Sequence, residues 1–199
     1  MTSGKKPARR LFGNPDVTWS DARLVRACLD GNEQAWATLI AKYKNLIYSI
    51  PLKYGAPPQD AADIFQSVCL ELFSDLPQLR RAEAVRSWII QVTSHQAYHW
   101  KRKQRRLAED ELTAIDEETL ASDLPPDVLE EIERAQMLRE AVAALPRRCQ
   151  EIIRLLFYEP QPIPYRDLAA RLGLATGSIG FIRGRCLQRL ERKLQELGF

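Results

Sequence analysis

No stretch of this chain is long and apolar enough to cross a bilayer, and the basic opening KKPARRLFG is not followed by the apolar core of a secretory leader. Membrane insertion and export are therefore not expected, and the protein is placed in the cytoplasm. Cysteine is sparse and scattered: Cys28, Cys69, Cys149 and Cys186 form no CxxC pair, and each sits beside apolar residues in a helical pattern. The expectation is four reduced core thiols. Histidine occurs only twice, as the HxxxH pair His95 and His99, with no Glu to complete a zinc-hydrolase pattern, so no metal site is expected. There is no tandem repeat and no credible strand. Nor is there a nucleophile beside a base, a phosphate-cradling glycine loop or an isolated carboxylate pair, which excludes the common enzyme classes and any cofactor.

What is present is charge, unevenly spread. The 199 residues are 45% apolar and 28% charged, enough for one medium or two small globular domains. Residues 107–133 hold 11 of the 26 acidic residues and no Lys or Arg. All 29 basic residues therefore lie elsewhere against 15 acids, and both flanks are basic, which favours a nucleic-acid partner.

Periodicity predicts helices throughout. Residues 1–18, with Lys5, Lys6, Arg9, Arg10, Pro7, Gly13 and Pro15, read as a basic tail. A helix runs from about Asp21 to Leu29 and stops at Asp30-Gly31-Asn32. The next, from Glu33 to about Lys53, puts Trp36, Leu39, Ile40, Tyr43 and Ile47 on one face, with Pro51 expected to kink or end it. Two more helices, joined by a polar loop from Pro77 to Ala84, span Asp63 to Arg106. On the second of these, Val85, Ile89, Val92 and Trp100 form an apolar stripe, while His95, His99, Arg102 and Arg106 line another face. Five of the six residues from Lys101 to Arg106 are cationic, which suits phosphates as well as the helix's own C-terminal dipole. Residues 107–126 show neither period and read as an acidic linker. Helix resumes near Asp127, with Val128, Leu129, Ile132, Ala135, Leu138 and Val142 spaced for burial.

The strongest local pattern is C-terminal. Tyr165 to Gly184 fits a helix-turn-helix in which Leu168 and Ala169 face inward, Gly173 supplies the turn, and Leu174, Ile179 and Ile182 pack the second helix onto the first. Its exposed N-terminal residues are Thr176, Gly177, Ser178, Gly180 and Phe181, backed by Arg183 and Arg185. Gly180 and Gly184, four apart, suggest a close backbone approach, because glycine inside a helix costs about 1 kcal/mol relative to alanine.

DIFQSVCLELF, a loop, then VRSWIIQVTSHQAYHWKRKQRR resembles the second conserved region of bacterial sigma factors of the extracytoplasmic-function group. The stretch from LPRRCQEIIRLL to the C-terminus is similar to their fourth region. With the helices from Asp21 onward, the likeness covers about three quarters of the chain, and the order of the two blocks is more specific than either alone. It implies an all-α protein of two small helical domains: a region 2-like bundle over 19–106 and a region 4-like helix-turn-helix domain over 127–199, joined by the acidic linker 107–126.

The resemblance further implies a sigma factor that directs core RNA polymerase to promoters and assists their opening. A stand-alone helix-turn-helix regulator is the alternative, but it has no use for DIFQ or the acidic tether. Asp63 and Gln66, with Cys69, Leu70 and Phe73 nearby, fall in the family's contact with the polymerase β′ clamp, and Ser67 replaces a frequent Glu. The implied partners are core polymerase through its β′ clamp and β subunits, promoter DNA, and an anti-sigma factor where one regulates. Arg80 and Arg81 match the loop that holds a flipped minus-ten base. Gln91, His95, His99, Arg102, Arg105 and Arg106 complete the minus-ten set, and Trp88, a single aromatic, is expected in the core. Thr176, Gly177, Ser178, Gly180, Phe181, Arg183 and Arg185 form the minus-thirty-five set. The helix departs there from the commoner pattern of Thr, Val and polar residues, so the usual minus-thirty-five sequence is not assumed. The acidic linker is expected to occupy a positively charged nucleic-acid channel of the polymerase.

Overall fold

The computed structural model describes residues 14–108 and 125–199. The reading of a basic leader therefore lies mostly outside the described residues, as does nearly all of the acidic linker. Within the described residues the chain is all α: α1 (Asp21–Leu29), α2 (Glu33–Lys53), α3 (Pro58–Asp75), α4 (Val85–Ala108), α5 (Pro126–Ala143), α6 (Arg147–Phe157), α7 (Tyr165–Leu172) and α8 (Ile179–Glu196), with short 3-10 turns between some of them.

Local chemistry sets the first boundaries. The Ser20 hydroxyl accepts from the Arg23 amide to cap α1, and Asn32 accepts from Ala35 to cap α2. Between them Gly31 takes φ 81°, a conformation that a side chain would strain. Pro58 occupies the first position of α3, where its missing N–H costs nothing. Helix α2 ends at Lys53, the bound expected from sequence, two residues beyond Pro51. It runs through the buried Pro51 because proline removes only its own bond and the Tyr54 amide still reaches the Ile50 carbonyl at 3.2 Å. Pro15 and Thr18, read from sequence as part of the tail, are held in place. The Pro15 carbonyl accepts from Thr38 Oγ1 at 3.3 Å, and the Thr18 amide donates to Asp16 at 2.8 Å.

Helices α1 to α4 close on a core that includes Leu24, Leu39, Tyr43, Leu46, Ile47, Val68, Leu72, Val85 and Ile89. Each such aliphatic side chain contributes about 1.5–3 kcal/mol by leaving water. A second apolar region lies between α6, α7 and α8, where Leu145, Ile152 and Ile153 pack in one cluster and Leu155, Leu168, Ala169 and Ile179 in the next.

Helix α5, given from sequence to the C-terminal half, is divided between the two. Val128, Leu129 and Ile132 join the first core, whereas Val142 packs with Leu145 and Cys149 in the second. Polar contacts fasten the same helix to the first bundle. Gln136, fully buried, donates 3.0 Å to the Lys42 carbonyl, and Glu140 lies 2.6 Å from Arg86 on α4.

Cys149 and Cys186 are joined in a disulfide that ties α6 to α8, which corrects the expectation of four reduced thiols. Their 37-residue separation hid the pairing, since the two helices meet only in the tertiary fold. Cys28 and Cys69 remain free thiols. Burial pushes Cys28 up to about 12 and raises Cys69 as well, so neither is a ready thiolate at neutral pH. Replacing Cys186 by Ser is expected to lower stability by roughly 2–4 kcal/mol, because a cross-link of this span restricts the unfolded chain. Urea unfolding with and without dithiothreitol measures it. A wild-type midpoint indifferent to reductant would show that the bond contributes nothing.

Candidate partner and nucleic-acid interfaces

The face of α3 is set by its buried stripe. Ala61, Ile64, Val68 and Leu72 turn inward, which leaves Asp63, Gln66, Leu70 and Phe73, spaced three, four and three, on the outside. Leu70 and Phe73 are 71% and 65% exposed, an apolar pair at the lower end of a polar pair. Phe73 stacks at a tilt on the half-buried Trp36 of α2 at 5.2 Å, so the patch extends onto the neighbouring helix. Cys69 is half-buried beside this face, and the Ser67 hydroxyl donates back to the Asp63 carbonyl at 3.1 Å. Two bonds fix the rotation of α3 against α4: Trp100 Nε1 donates to Asp60 at 2.9 Å, and Gln96 donates to Glu71.

Between these helices, Leu76 is fully buried and Leu79 and Ala82 tuck against the core, which holds a short extended segment with Arg80 and Arg81 exposed. The loop passes directly into α4. There Val85 and Ile89 are buried, Trp88 is half-buried against the core as expected, and Gln91, His95 and His99 are exposed.

The two imidazoles meet at 2.9 Å between their Nε2 atoms, in T-shaped contact, so one ring donates and the other accepts. Desolvation, then His95, then the charge of Arg102 lower the pKa of His99, and the shared proton requires at least one neutral ring. Among the described residues, no three His, Cys, Asp or Glu side chains are grouped to hold a metal ion. The helix ends in Lys103, Arg105 and Arg106, all exposed, while Lys101 lies 5.7 Å over the Tyr54 ring.

The C-terminal motif has the geometry its sequence predicts at the turn. Gly173 adopts φ 62°, and the Leu174 amide reaches the Ala169 carbonyl at 2.9 Å, closing α7 with a Schellman-type cap. Thr176 to Ser178 form a 3-10 turn rather than the first residues of the second helix, and α8 begins at Ile179. Ser178 donates to the Ala175 carbonyl at 2.7 Å. Thr176, Gly177, Gly180, Phe181 and Arg185 are exposed; Arg183 is half-buried and donates to the Tyr165 hydroxyl at 3.2 Å. Nothing in the spacing of Tyr165 and Arg183 marks them as a pair, so this anchor from the first helix of the motif is visible only in the fold. A Cβ at Gly177, Gly180 or Gly184 would meet none of the described residues within 4 Å. The close approach inferred from these glycines is therefore not made by any described part of this chain.

Residues 39–107 match the sigma-70 region 2 family. The chain is 24% identical over 183 residues to the RNA polymerase sigma-H factor of Pseudomonas aeruginosa, an alignment covering 89% of this chain and 95% of that one. It is 28% identical over 122 residues to the RNA polymerase sigma factor SigV of Bacillus subtilis, covering 61% and 69%. The solved structure of CnrH in complex with the cytosolic domain of CnrY is similar at 18% identity over 88% of this chain and 97% of that one, with a TM-score of 0.39. Among the described residues no helix is long and apolar enough to cross a membrane. The region 2 match from the middle of α2 through α4 and the sigma-H factor aligned nearly end to end support an RNA polymerase sigma factor of transcription initiation, with a sigma-70 region 2 domain over residues 39–107.

Proposed function

We propose that the three exposed surfaces divide the work of initiation. The outer face of α3 docks on the β′ clamp of core polymerase. Arg80, Arg81 and the exposed side of α4 hold the melted minus-ten strand, and α8 enters the major groove of the minus-thirty-five element. The observation that carries this reading is on α3. A fully packed inner stripe forces Asp63, Gln66, Leu70 and Phe73 outward together, and two large apolar side chains are left in water on a helix whose rotation is pinned by Trp100 and Gln96. On α4 the exposed histidines and terminal arginines leave room for a strand whose bases face the imidazoles and whose phosphates face the cations.

Replacing Asp63 and Gln66 together by Ala is expected to weaken binding to core polymerase about 30-fold, at about 1 kcal/mol for each hydrogen-bonding group removed. Fluorescence polarisation of the labelled chain against core enzyme measures the loss, and circular dichroism checks that helicity is kept, since both residues are exposed. Unchanged affinity at equal helicity would remove α3 from the docking surface.

A further inference from the structure

We infer that Phe181 is the base-reading side chain of the recognition helix and that it reads the 5-methyl group of thymine. This rests on the assignment of α8 to minus-thirty-five DNA and names what α8 recognises there. Sequence readers in the major groove ordinarily use long polar side chains that bond two atoms of one base edge. The leading turns of this helix offer none. Gly177 and Gly180 have no side chain, and Ser178 is turned back to the Ala175 carbonyl.

Each of the two nearby arginines already has an aromatic neighbour. Arg183 is held by the Tyr165 hydroxyl and lies 5.9 Å from the Phe157 ring, whereas Arg185 lies 5.6 Å from the ring of Phe181 itself. Phe181 lies on the first turn of α8 with 68% of its surface exposed. Because a Cβ at Gly177, Gly180 or Gly184 would meet only open space, nothing in the described structure explains those glycines. On either side of the ring they allow the helix backbone to sit deep in the groove. The thymine methyl is the one apolar group that a base pair shows there, and an aromatic ring is its complement. Arg185, steered by the ring, is then placed for the adjoining phosphate.

The test uses holoenzyme assembled from the full chain and core polymerase. Promoter fragments are first selected from a library randomised through the minus-thirty-five region, and each selected thymine is then replaced by deoxyuridine, which lacks only the methyl. The expected result is that one or two deoxyuridine positions weaken wild-type binding about 3- to 10-fold, the scale of burying one methyl group. Phe181→Ala should show the same loss on the thymine fragment and no further loss with deoxyuridine, whereas Phe181→Leu should retain part of the discrimination. Equal wild-type affinity for thymine and deoxyuridine would overturn the inference, as would discrimination that survives in Phe181→Ala. The underlying assignment is checked separately by Arg183→Ala with Arg185→Ala, which should weaken binding to all fragments alike. If that variant binds normally, α8 is not on the DNA at all.

Discussion

Glu140→Ala should unfasten the two halves of this protein and destabilise it by about 3–5 kcal/mol, the usual cost of leaving buried charge without its counter-ion. Glu140 sits on α5, yet its carboxylate faces the first bundle. One oxygen lies 2.6 Å from Arg86 Nη2 and 3.9 Å from Lys42 Nζ, and the other accepts from Gln136 at 3.0 Å. Lys42 in turn donates to Asp21 at 2.7 Å, and the Tyr43 hydroxyl donates to the second Asp21 oxygen at the same distance. The side chains of Lys42, Glu140 and Asp21 are only 7%, 10% and 14% exposed and that of Arg86 is 25%, so the charges are largely withdrawn from water.

Arg86 suffers most, because its Nε already has no partner among the described residues and Glu140 is its salt-bridge acceptor. Lys42 keeps Asp21, which is why the expected loss stays within the range for a single broken pair. Burial, with Asp21 and Glu140 alongside, raises the Tyr43 phenol far above its ordinary value, so this hydroxyl remains a donor and cannot supply the missing negative charge. Glu140→Gln separates shape from charge. It still accepts a hydrogen bond, and its loss should be smaller. Urea unfolding gives the magnitude, and amide exchange along α5 should show that helix opening first. An Ala variant within 0.5 kcal/mol of wild type, roughly the scale of ordinary surface changes, would mean that the network is solvated in solution.

This network leaves no trace in the sequence, in contrast to the helix-turn-helix. Leu168, Ala169, Gly173 and Ile179 announce that motif because each local requirement, an inward stripe, a small residue at a crossing and a left-handed turn, falls within a few residues of the next. The stripes on α2 and α4 are legible for the same reason, and Leu39, Tyr43, Ile47, Val85 and Ile89 are all buried.

Gln136 and Glu140 carry no such mark. On an isolated amphipathic helix they look like its wet side, and only the approach of α2 and α4 from distant sequence makes them interior. The apolar spacing of α5 is a true burial pattern, but periodicity gives a face and not the partner that covers it. Cys149 and Cys186 pose the same problem in covalent form. At the candidate interfaces the exposure of Leu70, Phe73 and Phe181 follows from helix phase, whereas the mutual bond of His95 and His99 and the tether of Arg183 to Tyr165 depend on rotamers that the sequence does not encode.

Neutralising Arg102, Arg105 and Arg106 by Gln should flatten the salt dependence of holoenzyme binding to promoter DNA by up to about 2.1 in log-log slope, at about 0.7 for each phosphate of the melted strand no longer neutralised. Over a fourfold change in salt that corresponds to about 20-fold in affinity, a larger effect than that expected of a single apolar base contact. The geometry favours phosphates over bases at this end of α4. Arg105 and Arg106 are exposed in the last turn, beyond the paired imidazoles, and the cationic run extends past the part of the helix that is packed against the core. Cations at a helix C-terminus are also stabilised by its dipole, so part of the basic charge serves the helix itself. The glutamine variant should therefore lose a few tenths of a kcal/mol in stability as well. Holoenzyme affinity for one promoter fragment, measured at several salt concentrations and compared across fragments differing only in the minus-ten element, separates the two roles. Phosphate contacts predict a shallower slope with the rank order of fragments unchanged. A reordering of fragments at constant slope would show that these arginines read bases, and that α4 specifies sequence along its whole exposed length.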